Sequence, residues 1–358
     1  MIATIHDRAS EETRNASLEF VLAQPSATYN QWPDWREISP PSSRQTYLDF
    51  QVRDSSDALV SAGLLRLTWI VGGTCFAAVQ RGPVTPSVQD LPGVLAALEA
   101  EASARGAVNL TVNPFWLGDE CDACEALLEQ HGYIKVSRDL QNMPTTTAVI
   151  DLRPSEDDIF AGFNGKVRSK VRQSQKLGIE VSQIANADEA DILSAIMRKM
   201  ASDRSMEIDN QYNIGRFHAH IAKNPQAGLV MKAVFEGKMF GGAVALAEGT
   251  RAGLHLLASD PETQRGVPRT QLLLWEMTKI LKGRGFTDFD LIGFPDDRYD
   301  EDAQAESRGL FKSAFKPATP YVTALMVKPL RPVAHHMMTR GRKIYRSKIK
   351  PLLRGAPS

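Results

Sequence analysis

Cysteine is nearly absent from this 358-residue chain, with three in all, too few for a disulfide framework. Long apolar runs are missing too. The most apolar stretch, Gly63 to Val79, is broken by Arg66 and by Gly72-Gly73, so no segment is expected to span a bilayer. The opening residues MIATIHDRASEETRN contain no apolar signal core. Together these absences lead to the expectation of a soluble protein of a reducing compartment, the cytoplasm. Net charge is absent overall, with 42 basic and 42 acidic residues. Acids, however, stop at Glu306. From Ser307 onward there are twelve Lys/Arg and no Asp/Glu, which leaves the first 306 residues with a net charge of −12. An acidic body therefore ends in a basic strip.

What is present is an ordinary globular balance, 43% hydrophobic and 23% charged. At about 150 residues per domain the length predicts roughly two domains. An internal echo supports that division. Leu91–Gly106 is apolar at Val94, Leu95, Leu98 and Ala102, a helical spacing, and closes on a glycine before the alternating Val108, Leu110 and Val112 of a strand. Thr270–Gly285 repeats the pattern with Leu273, Met277, Ile280 and Leu281, followed by Phe289, Leu291 and Ile292. Arg105-Gly106 and Arg284-Gly285 lie 179 residues apart, half the chain.

Further elements keep the same register. Glu125–Tyr133 is a short helix closing on Gly132, and Glu306–Phe315 is its looser counterpart. Gly63–Val79 parallels Val230–Leu257, where tight turns at Gly237 and Gly249 separate three strands. The predicted fold class is α/β (α+β): a β-meander, a long helix, a strand, a short helix and a final strand, twice over.

That order resembles the GNAT acyltransferase fold, and the resemblance implies two tandem domains with mixed central sheets flanked by helices. We expect residues 1–146 in the first domain, 147–317 in the second, and 318–358 returning to the first with the basic tail. A GNAT domain implies a coenzyme A diphosphate cradled by backbone N–H groups at a helix N-terminus. The corresponding loop here is Thr263-Gln264-Arg265-Gly266-Val267-Pro268-Arg269, in which Pro268 contributes no N–H. The first-half counterpart, Gln80-Arg81-Gly82-Pro83, departs as well. No cofactor is therefore expected.

From Thr147 to Val181 the likeness becomes specific. Asp151-Leu152, Lys166, Arg168, Arg172, Lys176, Gly178 and Glu180 resemble the Fem family of aminoacyl-tRNA-dependent transferases, tandem-GNAT enzymes that add amino acids to peptidoglycan precursors. Trp275-Glu276, Gly285-Phe286, Phe289 through Pro295 and Gly309 through Phe315 extend it, and Tyr29 to Trp35 with Arg81-Gly82-Pro83 carry it into the first half. There are departures: Ser169-Lys170 replace a Tyr-Asn, Asn113-Pro114 replaces an acidic residue before Pro, Lys316 replaces a Gly, and the length leaves no room for a helical-arm insertion. They suit a divergent branch acting on another amine, such as a natural-product or lipid intermediate.

The resemblance implies amide formation from an aminoacyl-tRNA donor and an amine acceptor. Such chemistry needs alignment, oxyanion stabilisation and the relay of one proton. Lys312, set between aromatics in a segment free of acids, is the first catalytic candidate, and the family's lysine at this motif is implicated in catalysis or donor binding. Asp290, at a strand end, is the second, with Asp296 and Asp297 nearby. Arg168 and Arg172, four apart on one helix face, suit phosphate or RNA; a solvated basic face is the competing reading. Arg36 beside Trp32 and Trp35, with Tyr212 and Arg216, would line the acceptor cleft, and Phe311 and Phe315 would flank the substrate. Lys166, Lys176, Lys316, Arg342 and Lys343 are the candidate tRNA or phosphate contacts.

His255 reads as a satisfied core histidine. Cys121 and Cys124 supply two ligands only, so no metal site is expected. Three readings of the basic tail stay open: RNA backbone, peripheral contact with anionic lipid, or solubilisation of a terminal helix. Two rival functions also stay open, an acyl-CoA-dependent N-acyltransferase and a non-catalytic binding module.

Overall fold

The computed structural model describes residues 1–70, 72–203, 213–298 and 303–344. The chain opens with β1 (Ile2–His6), α1 (Glu11–Ala23), α2 (Trp35–Ile38), β2 (Gln45–Arg53), β3 (Leu59–Trp69) and β4 (Cys75–Val79). It continues through α3 (Leu91–Ala104), β5 (Ala107–Val112), α4 (Asp119–Gln130) and β6 (Ile134–Lys135). A second series follows: β7 (Val149–Asp151), α5 (Glu156–Gly162), α6 (Gly165–Lys176), β8 (Glu180–Gln183), α7 (Ala187–Asp203) and α8 (Ile214–Lys223). Its remainder is β9 (Gly228–Phe235), β10 (Lys238–Glu248), β11 (Arg251–Ser259), α9 (Gln271–Gly283), β12 (Asp288–Asp290) and α10 (Ala303–Ser313). Then come β13 (Met326–Pro329) and α11 (Pro332–Ile344).

Two mixed sheets result, ordered β1-β2-β3-β4-β5-β13-β6 and β7-β12-β11-β10-β9-β8. β13 pairs antiparallel with both β5 and β6, so the chain returns to the first sheet after completing the second. The two helices that echo each other in the sequence form for the reason their spacing gave. Leu91, Val94, Leu95, Leu98 and Ala102 of α3 are buried on one face, and Leu273, Met277 and Leu281 of α9 do the same. Gly106 ends α3 at φ 83, and a Cβ there would lie 2.7 Å from the Gly73 carbonyl oxygen, so only glycine makes that turn.

The halves differ at the parallel strand pair in each sheet. β4 and β5 stay paired to their ends, Val79 opposite Val112. β11 and β12 pair only over Arg251–Gly253 and Asp288–Asp290, and β11 runs on to Ser259 paired with β10 alone. The second sheet is thus splayed where the first is closed.

One core packs the first sheet against α3 and α4, and another packs the second against α5, α6 and α9. A third core joins the halves. Val21, Tyr29, Trp32 and Trp35 from the first lie against Leu193, Phe217, Val244 and Leu256 from the second.

Candidate active site

Lys312, near the end of α10, lines a cavity of about 380 Å³ between the connector that follows β6 and the loop that follows β12. Arg138, Gln141 and Pro144 line one wall, and Phe294, Asp296 and Arg308 the other. The Lys312 ammonium donates to the carbonyl oxygens of Ile292 and Gly293. Those residues form a left-handed pair, φ 51 and 71. A β-branched residue rarely adopts this conformation, and holding it there costs about 1–2 kcal/mol. Both amides of the pair are pinned: Ile292 N–H donates to Asp290 Oδ1 at 2.7 Å, and Gly293 N–H to Thr147 Oγ1 at 3.3 Å. The Thr147 hydroxyl donates in turn to Asp290 Oδ1. With the amides held from behind, the carbonyls face Lys312.

Burial lowers the Lys312 pKa to about 8, against the partial opposition of Asp290, while Arg308 adds to the fall. Around neutrality the group is still mostly an ammonium, close to releasing its proton. Burial pushes the Asp296 carboxyl up, but hydrogen bonds from Arg298 and Thr145 outweigh it and hold the pKa at about 2. Among the described residues the cavity wall therefore carries Arg138, Arg308 and Lys312 against the carboxylate of Asp296, a setting suited to an anionic or oxyanionic ligand.

Beneath the cavity lies a buried cluster contributed by both halves. Arg251 Nε pairs with Glu248 at 3.2 Å and lies 3.9 Å from Asp290 Oδ2, while its Nη2 donates to the Ala27 carbonyl at 3.0 Å. The Arg251 and Arg81 guanidiniums approach the Phe115 ring at 4.2 and 5.1 Å. Arg81 Nη2 donates to the Pro144 carbonyl at 2.9 Å. Burial lowers the Arg81 pKa to about 10 and raises that of Glu248. His255 is the extra residue of a bulge in β11, since Val244 pairs with Leu256 and Ala245 with Leu254. The bulge turns its ring toward Tyr29, Trp35 and Phe217. His255 Nδ1 shares a hydrogen bond with the Tyr29 hydroxyl at 3.1 Å, and Nε2 has no partner among the described residues. Burial lowers its pKa to about 4, so the ring is neutral.

The loop before α9 does not form a diphosphate cradle. Arg269 folds back into it, its Nη2 donating to the carbonyls of Pro261 and Thr263 at 3.1 and 3.2 Å. Gln173 Nε2 of α6 donates to the Gly266 carbonyl from outside at 3.0 Å. Carbonyls and a guanidinium stand where a coenzyme A diphosphate needs N–H groups. In the first half, the Gln31 side chain fills the corresponding space. Its Nε2 donates to the Gln80 carbonyl at 2.6 Å and its Oε1 accepts from Leu64 N–H at 2.9 Å. Neither half fits coenzyme A in the usual GNAT manner.

The remaining candidates are dispersed. Arg36 is held by Asp49 at 2.6 Å and the Asp7 carbonyl at 2.8 Å. Arg168 Nη1 donates to the Ala161 carbonyl at 2.6 Å and to that of Phe163, closing the end of α5. Arg172 is exposed, 5.7 Å from the Phe160 ring, and Lys166 and Lys176 are exposed on the same helix. Arg216 Nη1 is buried without a partner among the described residues. Phe315 is buried against Phe163 and Phe311, while Lys316 is exposed at φ 49. Asp290 is buried completely, beneath the turn. Tyr212 lies outside the described residues, as do the side chains of Arg342 and Lys343 in α11. Cys121 and Cys124 are buried in α4, and burial pushes each thiol up to about 12.

Thr147, Tyr29, Arg81 and Arg251 were not among the candidate site residues of the sequence reading. Tyr29 and Arg81 carried a signal, as part of the first-half motifs, whereas Thr147 and Arg251 carried none.

Two sheets, each a meander followed by helix, strand and helix, the second one splayed, define a tandem GNAT acyltransferase fold. The chain belongs to the FemAB family, whose model matches residues 13–212. An acetyltransferase (GNAT) domain model matches residues 162–301. The crystal structure of FemX superimposes with a TM-score of 0.80 at 14% identity, covering 94% of this chain and 99% of that one. L-PGS from Bacillus licheniformis gives 0.55 at 14% identity, covering 94% and 98%. The C-terminal domain of a protein assigned as a lysylphosphatidylglycerol synthetase from Agrobacterium fabrum gives 0.56 at 13%, also covering 94% and 98%. No curated protein matches the chain. Family and fold make this an acyltransferase. Among the described residues no helix is long and apolar enough to cross a membrane.

Proposed function

We propose that the protein transfers an aminoacyl group from aminoacyl-tRNA to an amine. The acceptor nitrogen attacks the ester carbonyl, the C–O bond to the terminal ribose breaks, and the proton that the amine gives up ends on the departing ribose oxygen, leaving an amide and the free ribose hydroxyl. The observation that carries this reading is the pairing of a half-buried cation, Lys312 at the wall of a cationic cavity, with a loop before α9 whose carbonyls are tied to Arg269. Lys312 would stabilise the tetrahedral oxyanion or the departing ribose oxygen. The exposed Arg172, Lys166 and Lys176 would meet the tRNA backbone, with Lys316, Arg342 and Lys343 as further contacts. On the acceptor side, Arg216 has a buried nitrogen without a partner among the described residues, and it is proposed there with Arg36 and Tyr212.

Membership in the FemAB family favours a peptidoglycan precursor peptide as acceptor and the cytoplasm as the place of work. A lipid amine is the second reading, favoured by the acid-free basic end of the chain. We assign residues 1–146 and 318–358 to one unit and 147–317 to the other.

Incubating the purified protein with labelled aminoacyl-tRNAs, labelled acyl-CoAs and candidate amines tests the donor. Label is expected to pass from tRNA to amine, and Lys312→Ala should slow transfer about 10²- to 10³-fold, as loss of an oxyanion donor does. Transfer from coenzyme A alone, or full activity in Lys312→Ala, would overturn the assignment.

A further inference from the structure

Asp290 and Thr147 make no surface in the cavity, yet both end on the turn that holds Lys312. Asp290 Oδ1 accepts from Thr147 Oγ1 and from Ile292 N–H, and Thr147 Oγ1 accepts from Gly293 N–H. Asp290 is itself fixed from below, with Oδ2 3.9 Å from Arg251 Nε and without a hydrogen-bond partner among the described residues. Two consecutive left-handed residues, the first of them isoleucine, do not keep that shape unaided. Removing either amide's acceptor lets Ile292 return to an ordinary φ and swings its carbonyl away from the ammonium.

We propose that Thr147 and Asp290 are positioning residues which hold the Ile292–Gly293 turn in its left-handed form, and that this turn fixes the Lys312 ammonium at the cavity wall. Asp290 thereby acts through the turn instead of exchanging a proton with substrate. The inference rests on the reading of Lys312 as the transfer residue, but the positioning itself is measurable without any substrate.

Trace acetylation with acetic anhydride, quantified at Lys312 by mass spectrometry across pH 6–11, reports where the side chain sits. Among the described residues, the charged groups around it are Asp290 below, Arg308 on its own helix, and Arg138 and Asp296 on the facing loops. In the wild-type protein the labelling midpoint should fall near 8. Thr147→Val removes one hydroxyl at nearly constant shape; the released lysine gains water, and its midpoint should rise toward that of an ordinary lysine. Asp290→Asn should move it the opposite way, because the turn keeps an acceptor while a stabilising negative charge is lost. Thr147→Ser should restore the wild-type midpoint. Transfer activity should follow in Thr147→Val, with kcat falling about ten- to a hundredfold and KM little changed, the signature of a misplaced catalytic group.

Asp290→Asn unbalances a buried cluster and costs stability, so the Thr147 pair carries the test. A folded Thr147→Val protein with an unshifted midpoint overturns the positioning. A shifted midpoint with full transfer activity sustains the positioning and overturns the role of Lys312.

Discussion

Lys312, the proposed transfer residue, opposes the fold that carries it. Its pKa is about 8 in the folded chain and 10.5 in an ordinary setting. Below pH 8 both folded and unfolded chains carry the proton, and the cost of burying the charge is felt in full. Between 8 and 10.5 the unfolded chain holds more protons than the folded one, so stability rises with pH through that window. Lys312→Met removes the cost. The variant should be more stable at pH 7 by up to about 3 kcal/mol, since each tenfold change in proton affinity is worth about 1.4 kcal/mol, and the advantage should shrink as pH climbs from 8 to 10.5. Urea unfolding at pH 7, 9 and 10.5 measures it. A difference independent of pH would mean that the ammonium is not desolvated. A gain in stability with a loss of transfer is the exchange expected at a site built for chemistry.

At the scale of the element, α6 presents two kinds of arginine that one sequence motif cannot distinguish. Arg168 is consumed by the carbonyls that end α5, whereas Arg172 and Lys176 stay exposed beside the loop filled by Arg269. A double change of Arg172 and Lys176 to alanine should weaken the proposed tRNA binding and lower the slope of log K against log salt by about 0.7–0.9 for each lost phosphate contact. Arg168→Ala should instead act mainly on stability. An unchanged salt slope in the double variant would move the RNA to another face. The helices themselves were plain in the sequence, because a buried stripe at helical spacing followed by glycine and alternating apolar residues admits few other structures. That is why α3 with β5 and α9 with β12 were found from pattern alone. The bulge that turns His255 toward Tyr29 was not legible. A bulge adds one residue to one strand and leaves no mark in a run of apolar side chains. Thr147 was equally silent, since its role depends on Asp290, 143 positions away.

At the scale of the molecule, the two halves share one core and one buried set of charges, and this should make them unfold together. Tyr29, Trp32 and Trp35 are packed on Phe217, Val244 and Leu256 from the other half, so separation would expose large apolar faces on both. The charges add a demand for balance. Arg251 and Arg81 stand against Glu248 and Asp290, all of them buried. Arg251→Met leaves two acids facing Arg81 alone and removes the donor to the Ala27 carbonyl. Breaking a buried pair in this way costs about 3–5 kcal/mol. Glu248→Gln added to Arg251→Met removes one of the stranded charges, so the double variant should recover part of that loss although it lacks more hydrogen-bonding groups. Calorimetry should show a single transition in the wild type, a lower one in Arg251→Met, and an intermediate one in the double variant. Two separate transitions in the wild type would mean that the halves fold as independent units. The seam would then be unable to transmit the hold of Arg251 on Asp290 to the turn above it.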